Sequence, residues 1–396
     1  MRPHYDIIVA GAGPAGTSAA ASLAKHGFRL LIVEKERLPK SKPCAGGLVI
    51  RGLRRLPREI TVPVQTYCHK TRVYVSGLDL YFFTKKPTPI IAMAMREEFD
   101  NALTDFALLS GAELKDGCEV KDAQVNGTRV RIDTTCGDFS SDFLVAADGA
   151  LSVVARKTGI GLPGYLVPAI ECEVRVSDKR FSRLRQAARF DMGFVPQGYS
   201  WVFPKKEHLS VGIGRMRKGK AALCHYLQSY LRFLGLEPGN IFQKKSSVIR
   251  FCTPVSAFAK GRVLLTGDAA GLADPLTAEG ISSAILSGQL AAEAIKVCGT
   301  STDRAAAHYQ ALLERHILPD IRIAAKVGKW VYDHPLLMKT IFLLYGERLC
   351  EAMMEVMAGE KSYYGILANP FTYLRPFRLG GRSTRRTKID KEVVFG

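Results

Sequence analysis

The chain has 396 residues, of which 47% are hydrophobic and 23% charged, with a formal net charge of +19. Its length exceeds one small core and suits a large two-part domain; its charge either solubilises the surface or serves an anionic partner such as lipid headgroups, a diphosphate or an acidic protein, and no recognition motif accompanies it to favour nucleic acid. No run of about 18 apolar residues is present to span a bilayer, and nine dispersed cysteines without a CxxC pair, with histidines lacking HExxH spacing, argue against a disulfide framework, a zinc site or an iron–sulfur relay.

In chain order, residues 5–10 (Tyr-Asp-Ile-Ile-Val-Ala) predict a buried parallel strand. The start lacks the charged segment and long apolar core of a signal peptide, so the expectation is a protein kept in the cytoplasm. Gly11-Ala12-Gly13-Pro14-Ala15-Gly16 follows, then an Ala- and Leu-rich helix over 17–26, a Gly27 cap, and a second strand over 29–33 ending at Glu34 and Lys35. This is the complete βαβ dinucleotide fingerprint: Gly11 for the tight turn, Gly13 for backbone approach to a pyrophosphate, Gly16 for close helix–strand packing, and Glu34 for ribose hydroxyls. The helix N-terminus offers amides and a partial positive charge to the phosphates.

Beyond the second strand lies Pro39-Lys40-Ser41-Lys42-Pro43-Cys44-Ala45-Gly46-Gly47, a cysteine beside a Gly-Gly pair. Basic residues concentrate here, through Arg58, and again in the tail from Arg375 to Lys391. Met95-Arg96-Glu97 opens a helix. Residues 142–149 run as a strand into the turn Asp148-Gly149. Gly198-Tyr199-Ser200-Trp201-Val202-Phe203-Pro204 and Val211-Gly212-Ile213-Gly214 predict two antiparallel strands, with Tyr199, Trp201 and Phe203 on one face. A strand over 263–266 ends in Gly267-Asp268, and a helix begins at Gly280 and Ile281. Residues 308–357 predict helices with Met353, Met354 and Met357 near their end, and Gly359-Glu360-Lys361-Ser362-Tyr363-Tyr364 follows. Beyond Pro376 the Gly- and Arg-rich composition predicts disorder.

The Gly11–Gly16 turn, the Asp148-Gly149 turn and the Gly267-Asp268 segment together resemble the flavoprotein superfamily that includes p-hydroxybenzoate hydroxylase. The resemblance implies non-covalent FAD, with Asp268 on the ribityl chain and Arg96 reaching the cofactor. It also implies that the backbone of Val120 meets the adenine and that the helix at Gly280 faces the flavin pyrimidine edge. A helix N-terminus there would stabilise the anion of reduced flavin.

The Cys44 segment, the Tyr199-x-Trp201-x-Phe203-Pro204 segment and Gly359–Tyr364 resemble the geranylgeranyl reductase family, over residues 5 to about 370. Ala45 stands where that family carries glycine, and its methyl predicts a narrower turn. The resemblance implies reduction of carbon–carbon double bonds in a prenyl chain on a lipid, quinone, pigment or isoprenoid diphosphate, with electrons from NAD(P)H or reduced ferredoxin. An isolated alkene needs a proton donor acting with the hydride, in a dry pocket. Cys44 is the candidate, because a thiol of ordinary pKa about 8.5 holds its proton at neutral pH; packing beside the flavin is its other reading. Tyr199, Trp201 and Phe203 are candidates to line a tunnel for the chain. The alternatives are an aromatic hydroxylase or halogenase of the same fold, or a quinone-linked electron-transfer flavoprotein. Halogenases carry Trp-x-Trp-x-Ile-Pro where this chain has Tyr199 and Phe203.

The expected architecture is α/β: a Rossmann-type FAD-binding domain (1–60, 90–160 and 255–300) interleaved with an antiparallel-sheet substrate domain (61–89 and 161–254), then a helical C-terminal region (301–396). The basic tail, set beside an isoprenoid substrate, predicts peripheral attachment to an anionic membrane surface.

Overall fold

A computed structural model of the chain describes residues 3–368 and 384–388, apart from 220, 254–255 and 300–301. Its first layer grows from the opening strand. His4–Ala10 is apolar and buried almost throughout, as a strand covered on both faces must be. It lies parallel to Leu30–Val33 on one side and to Gly137–Ala146 on the other. The sheet continues in parallel to Glu113–Lys115 beyond Leu30–Val33 and to Val263–Leu265 beyond Gly137–Ala146. An antiparallel extension, Val120–Asn126 with Arg129–Thr134, branches from it where Arg129–Thr134 pairs with the first half of Gly137–Ala146.

The helix Pro14–Ala24 packs on this sheet and against the long helix Ile281–Cys298. Small residues permit the close crossing: a β-carbon added at Gly288 would stand 2.1 Å from the Ala15 carbonyl oxygen. The core beneath includes Ile7, Ile8, Leu31, Phe143 and Leu264.

The second layer is an eight-stranded sheet with Tyr165–Val174, Leu209–Arg215, Gly198–Pro204 and Ala188–Met192 as consecutive inner neighbours. It is antiparallel except where Ala188–Met192 runs parallel to Lys70–Val75. Alternation divides its faces. Ile170, Cys172, Val174, Val202, Val211 and Ile213 pack toward the amphipathic helix Leu223–Phe233. The opposite face, carrying Ala169, Trp201 and Phe203, turns toward the first layer. A small sheet of Gly47–Val49, Ile91–Ala94 and Val64–Cys68 bridges the two.

Helices Thr302–His316, Leu318–Asp333 and Pro335–Ala358 follow, and Pro335–Ala358 lies against Leu80–Lys85. The tail departs from the composition-based expectation at one place. Thr384–Lys388 forms a strand paired antiparallel with Leu80–Lys85, because that edge strand otherwise leaves a row of backbone donors and acceptors unmatched. The rest of the tail beyond Pro376 lies outside the described residues.

Candidate functional site

The two layers face each other across a cleft of about 1410 Å³, its open mouth included. One wall is the turn Gly13-Pro14-Ala15, Ala147 and Gly149 at the end of the Gly137–Ala146 strand, Asp268, and the helix start Gly280, Ile281 and Ala284. The other is Ala169 and Glu171, Phe190, and the row Tyr199, Trp201 and Phe203. Lys42, Cys44, Ala45 and Gly47 form its rim, with Arg96 behind them.

The opening turn has the shape its glycines predict. Gly11 has φ +105°, and a β-carbon there would stand 2.4 Å from the Ala147 carbonyl oxygen. At Gly16 it would stand 1.9 Å from the Gly11 oxygen, whereas at Gly13 and Gly149 it would meet nothing within 4 Å. The turn is therefore packed solid behind and open in front, toward the cleft. Neither N-cap glycine, Gly13 or Gly280, has a side chain to cap its helix, and although Glu279 Oε1 accepts from the Ser282 amide at 2.7 Å, first-turn backbone groups of both helices are turned to the same space. This cradle fits the diphosphate and flavin of FAD, with Gly13, Pro14, Ala15 and Asp268 to hold it.

Asp268 pairs with Lys42 at 3.1 Å; burial opposes its charge, but Lys42 and then Arg96 hold its pKa below the usual carboxylate range. Arg96, 6% exposed, makes two hydrogen bonds to Asp100, at 2.9 and 2.7 Å, and its guanidinium lies beside the Cys44 thiol. Burial works against that cation too, but Asp100 and then the Cys44 thiol together more than offset it.

The Cys44 loop is a fastened shelf. The Cys44 amide donates to Glu171 Oε1 at 2.6 Å. Lys205, 1% exposed, donates through Nζ to the carbonyls of Ala45 at 2.7 Å and Ala94 at 2.8 Å. The Gly46 amide points at Cys44 Sγ, 3.4 Å away, and the Ala94 amide donates to the Gly46 carbonyl. Only Gly46 is left-handed, with φ +66°, and a β-carbon there would strike Ala94 and Lys205. Ala45 is not among the left-handed residues, so its methyl adds no strain of that kind to the turn. At Gly47 a β-carbon would meet the Phe203 ring at 2.6 Å, so that glycine makes room for the aromatic wall.

Not every residue singled out from the sequence reaches the cleft. Glu34 is buried and engaged: it accepts from the amides of Ala12 at 2.8 Å and Glu36 at 3.0 Å, and Lys40 pairs with it, which holds its pKa down against burial. Lys35 lies at the surface opposite Glu36. Asp148 turns inward to cap the short helix after it, accepting from Ser152 Oγ and the amides of Val153 and Val154. Val120 starts its strand, buried, away from the cleft lining. Gly267, with φ +54°, gives its amide to Ser287 Oγ and packs on Ala15 and Ala284. Glu171, Phe190 and Lys205 were missed, although glutamates at 171 and 173 in an otherwise apolar strand are a legible signal.

A second hollow, of about 810 Å³, opens behind the aromatic wall. It is lined by Val331, Tyr332, Phe342, Met353 and Met354, and it shares Phe190, Tyr199, Thr277 and Met357 with the cleft. Tyr199 Oη donates to the Thr277 carbonyl at 2.5 Å, which fixes the ring at the junction.

A Rossmann-type sheet with a glycine cradle, facing an antiparallel sheet across a cleft, defines a flavoprotein with an FAD-binding domain, and the family model described as FAD binding domain matches residues 4–206. An uncharacterised protein of Methanosarcina barkeri is 31% identical over 343 residues, covering 86% of this chain and 87% of that protein. Digeranylgeranylglycerophospholipid reductase 1 of Methanococcoides burtonii is 29% identical over 323 residues, covering 74% and 76%. Among solved structures, a geranylgeranyl bacteriochlorophyll reductase-like protein of Thermoplasma acidophilum superposes with TM-score 0.71 at 23% identity, covering 83% of this chain and 88% of that one. The chain belongs to the FAD-binding-domain family, alongside the geranylgeranyl reductases it resembles in sequence, and is an FAD-dependent oxidoreductase.

Proposed function

We propose that this protein saturates carbon–carbon double bonds of a geranylgeranyl-type chain carried on a lipid, quinone, pigment or diphosphate. The observation that carries the reading is the apolar hollow behind Tyr199, joined to the cleft through Phe190 and Met357. An aromatic hydroxylase needs room for a ring beside the flavin; a hollow walled by Met353, Met354 and Phe342 suits a long flexible hydrocarbon. The relatives' names support the same substrate class.

FAD held along the Gly13–Ala15 turn and Asp268 would supply, once reduced, the hydride that an alkene accepts. The chain's own residues supply the surroundings. Trp201 and Phe203 exclude water from the far wall, and aromatic faces there favour the partial positive charge of a tertiary carbon. Two groups on the cleft wall are placed to act on that carbon as a proton donor: the Cys44 thiol and the Glu171 carboxyl. The electron donor is NAD(P)H or reduced ferredoxin. The net charge of +19 supports peripheral binding to an anionic membrane on its cytoplasmic face, although no helix among the described residues is long and apolar enough to cross one.

The test is anaerobic. Protein with its flavin reduced is mixed with geranylgeranyl diphosphate; the expected outcome is flavin reoxidation with a gain of about two mass units per double bond saturated. Reoxidation by a quinone alone, or only by oxygen with an aromatic compound, overturns the reading in favour of an electron carrier or a hydroxylase.

A further inference from the structure

Strand Tyr165–Val174 alternates strictly near its end. Ile170, Cys172 and Val174 go to the apolar core, and Glu171 and Glu173 go to the other face, 7% and 4% exposed. Two carboxyl groups two residues apart on one face lie roughly 7 Å apart along the strand, and burying both demands partners. Glu171 lines the cleft and takes the Cys44 amide. Glu173 meets His208 Nε2 at 3.0 Å, and His208 is part-exposed, with its ring edge-on to the exposed Phe242. Titratable groups therefore stand between solvent and the cleft wall: His208 and Glu173 form an ion pair outside hydrogen-bond alignment, and a step of roughly 7 Å, long enough for a bridging water, separates Glu173 from Glu171.

We infer that Glu171 is the acid that protonates the alkene carbon not taking the hydride, and that Glu173 and His208 reload it from solvent. The inference rests on the reductase reading above. The balance is complete: reduced flavin gives the hydride and both electrons to one carbon, the Glu171 O–H bond breaks as the C–H bond to the other carbon forms, and the carboxylate left behind takes a proton from the His208 side. Every charged group facing Glu171 bears on its protonation. Burial and then Glu173 raise its pKa to about 7, while the Cys44 amide, Lys205 and Lys245 act the other way. Lys205 is itself driven toward neutrality by burial, against the pull of Glu173, Cys44 and Glu171, and Arg96 is committed to Asp100. The carboxyl thus keeps its proton below about pH 7 and loses it above. Cys44, on this account, is held in place by Glu171 and is not the proton source.

The experiment compares wild type with Glu171→Gln, whose amide oxygen still accepts from the Cys44 amide. In anaerobic single turnovers with geranylgeranyl diphosphate, the wild-type rate is expected to fall tenfold per pH unit above about 7. Glu171→Gln is expected to be about 100-fold slower at pH 6 and flat with pH, with flavin content and melting temperature unchanged. An infrared titration reads the group without turnover: a protonated carboxyl band lost near pH 7 in wild type and absent from Glu171→Gln. Should that variant fold poorly, Glu171→Asp is expected to restore the pH-dependent limb. Cys44→Ala, at whatever rate it turns over, is expected to keep the fall in rate above about pH 7, and loss of that limb in Cys44→Ala while Glu171→Gln keeps it overturns the inference. A wild-type rate and profile in Glu171→Gln, or an unchanged infrared band, overturns it while leaving the reductase reading intact. Failure of wild type to be reoxidised by the prenyl probe takes both down together.

Discussion

At Gly16 the smallest possible side chain has no room, since its β-carbon would sit 1.9 Å from the Gly11 carbonyl oxygen. Overpacking of this kind costs about 1–3 kcal/mol, and here the strain falls on the turn proposed to hold the diphosphate. Gly16→Ala is therefore expected to bind FAD about 10- to 100-fold more weakly, read as flavin absorbance per mole of purified protein; a variant as yellow as wild type would remove the turn from the cofactor site. Single residues also mark where sequence reasoning stops. Asp148 follows a strand and precedes a glycine, as a ligand residue does, yet its carboxylate is consumed by Ser152 and the amides of the next helix. Capping and ligand binding call for the same short acidic side chain at a turn, so the residue type alone does not distinguish them.

Among elements, the ones with one unambiguous pattern were legible: the apolar opening strand, the glycine turn, the paired strands around Trp201 and the helix from Ile281. The second hollow was not, because it is made by contact between elements distant in the chain. Met357 reaches it from the helix Pro335–Ala358 and Phe190 from the strand Ala188–Met192. From the sequence, Met353, Met354 and Met357 read first as plain core and only second as a surface for a flexible chain, until both surfaces are present. Met357, 7% exposed, stands where the hollow and the cleft meet. Met357→Trp is expected to close that junction: flavin content holds, turnover of a 20-carbon chain falls by roughly tenfold or more, and a five-carbon prenyl diphosphate is less affected. Equal losses for both lengths would show that the hollow holds no part of the chain.

For the whole molecule, composition foresaw a large two-part chain, and the surplus of positive charge has no counterpart within the cleft, whose Lys42 and Arg96 are paired with Asp268 and Asp100. It belongs to the exterior. Composition misjudged the tail, because it weighs how much apolar surface a segment buries and not whether a neighbouring strand lacks a partner. Thr384–Lys388 finds one in Leu80–Lys85.

That late-added strand acts as a selvedge. As the last strand of an eight-stranded fabric it still bares peptide groups along its outer side, but its sequence, Thr-Arg-Arg-Thr-Lys, gives that margin a positive charge that repels a like margin on a second molecule. Trimmed after residue 380, the protein is expected to retain its flavin yet to self-associate as its concentration rises, seen as a growing mass in light scattering; a trimmed protein that stays monomeric would show that the border needs no finishing.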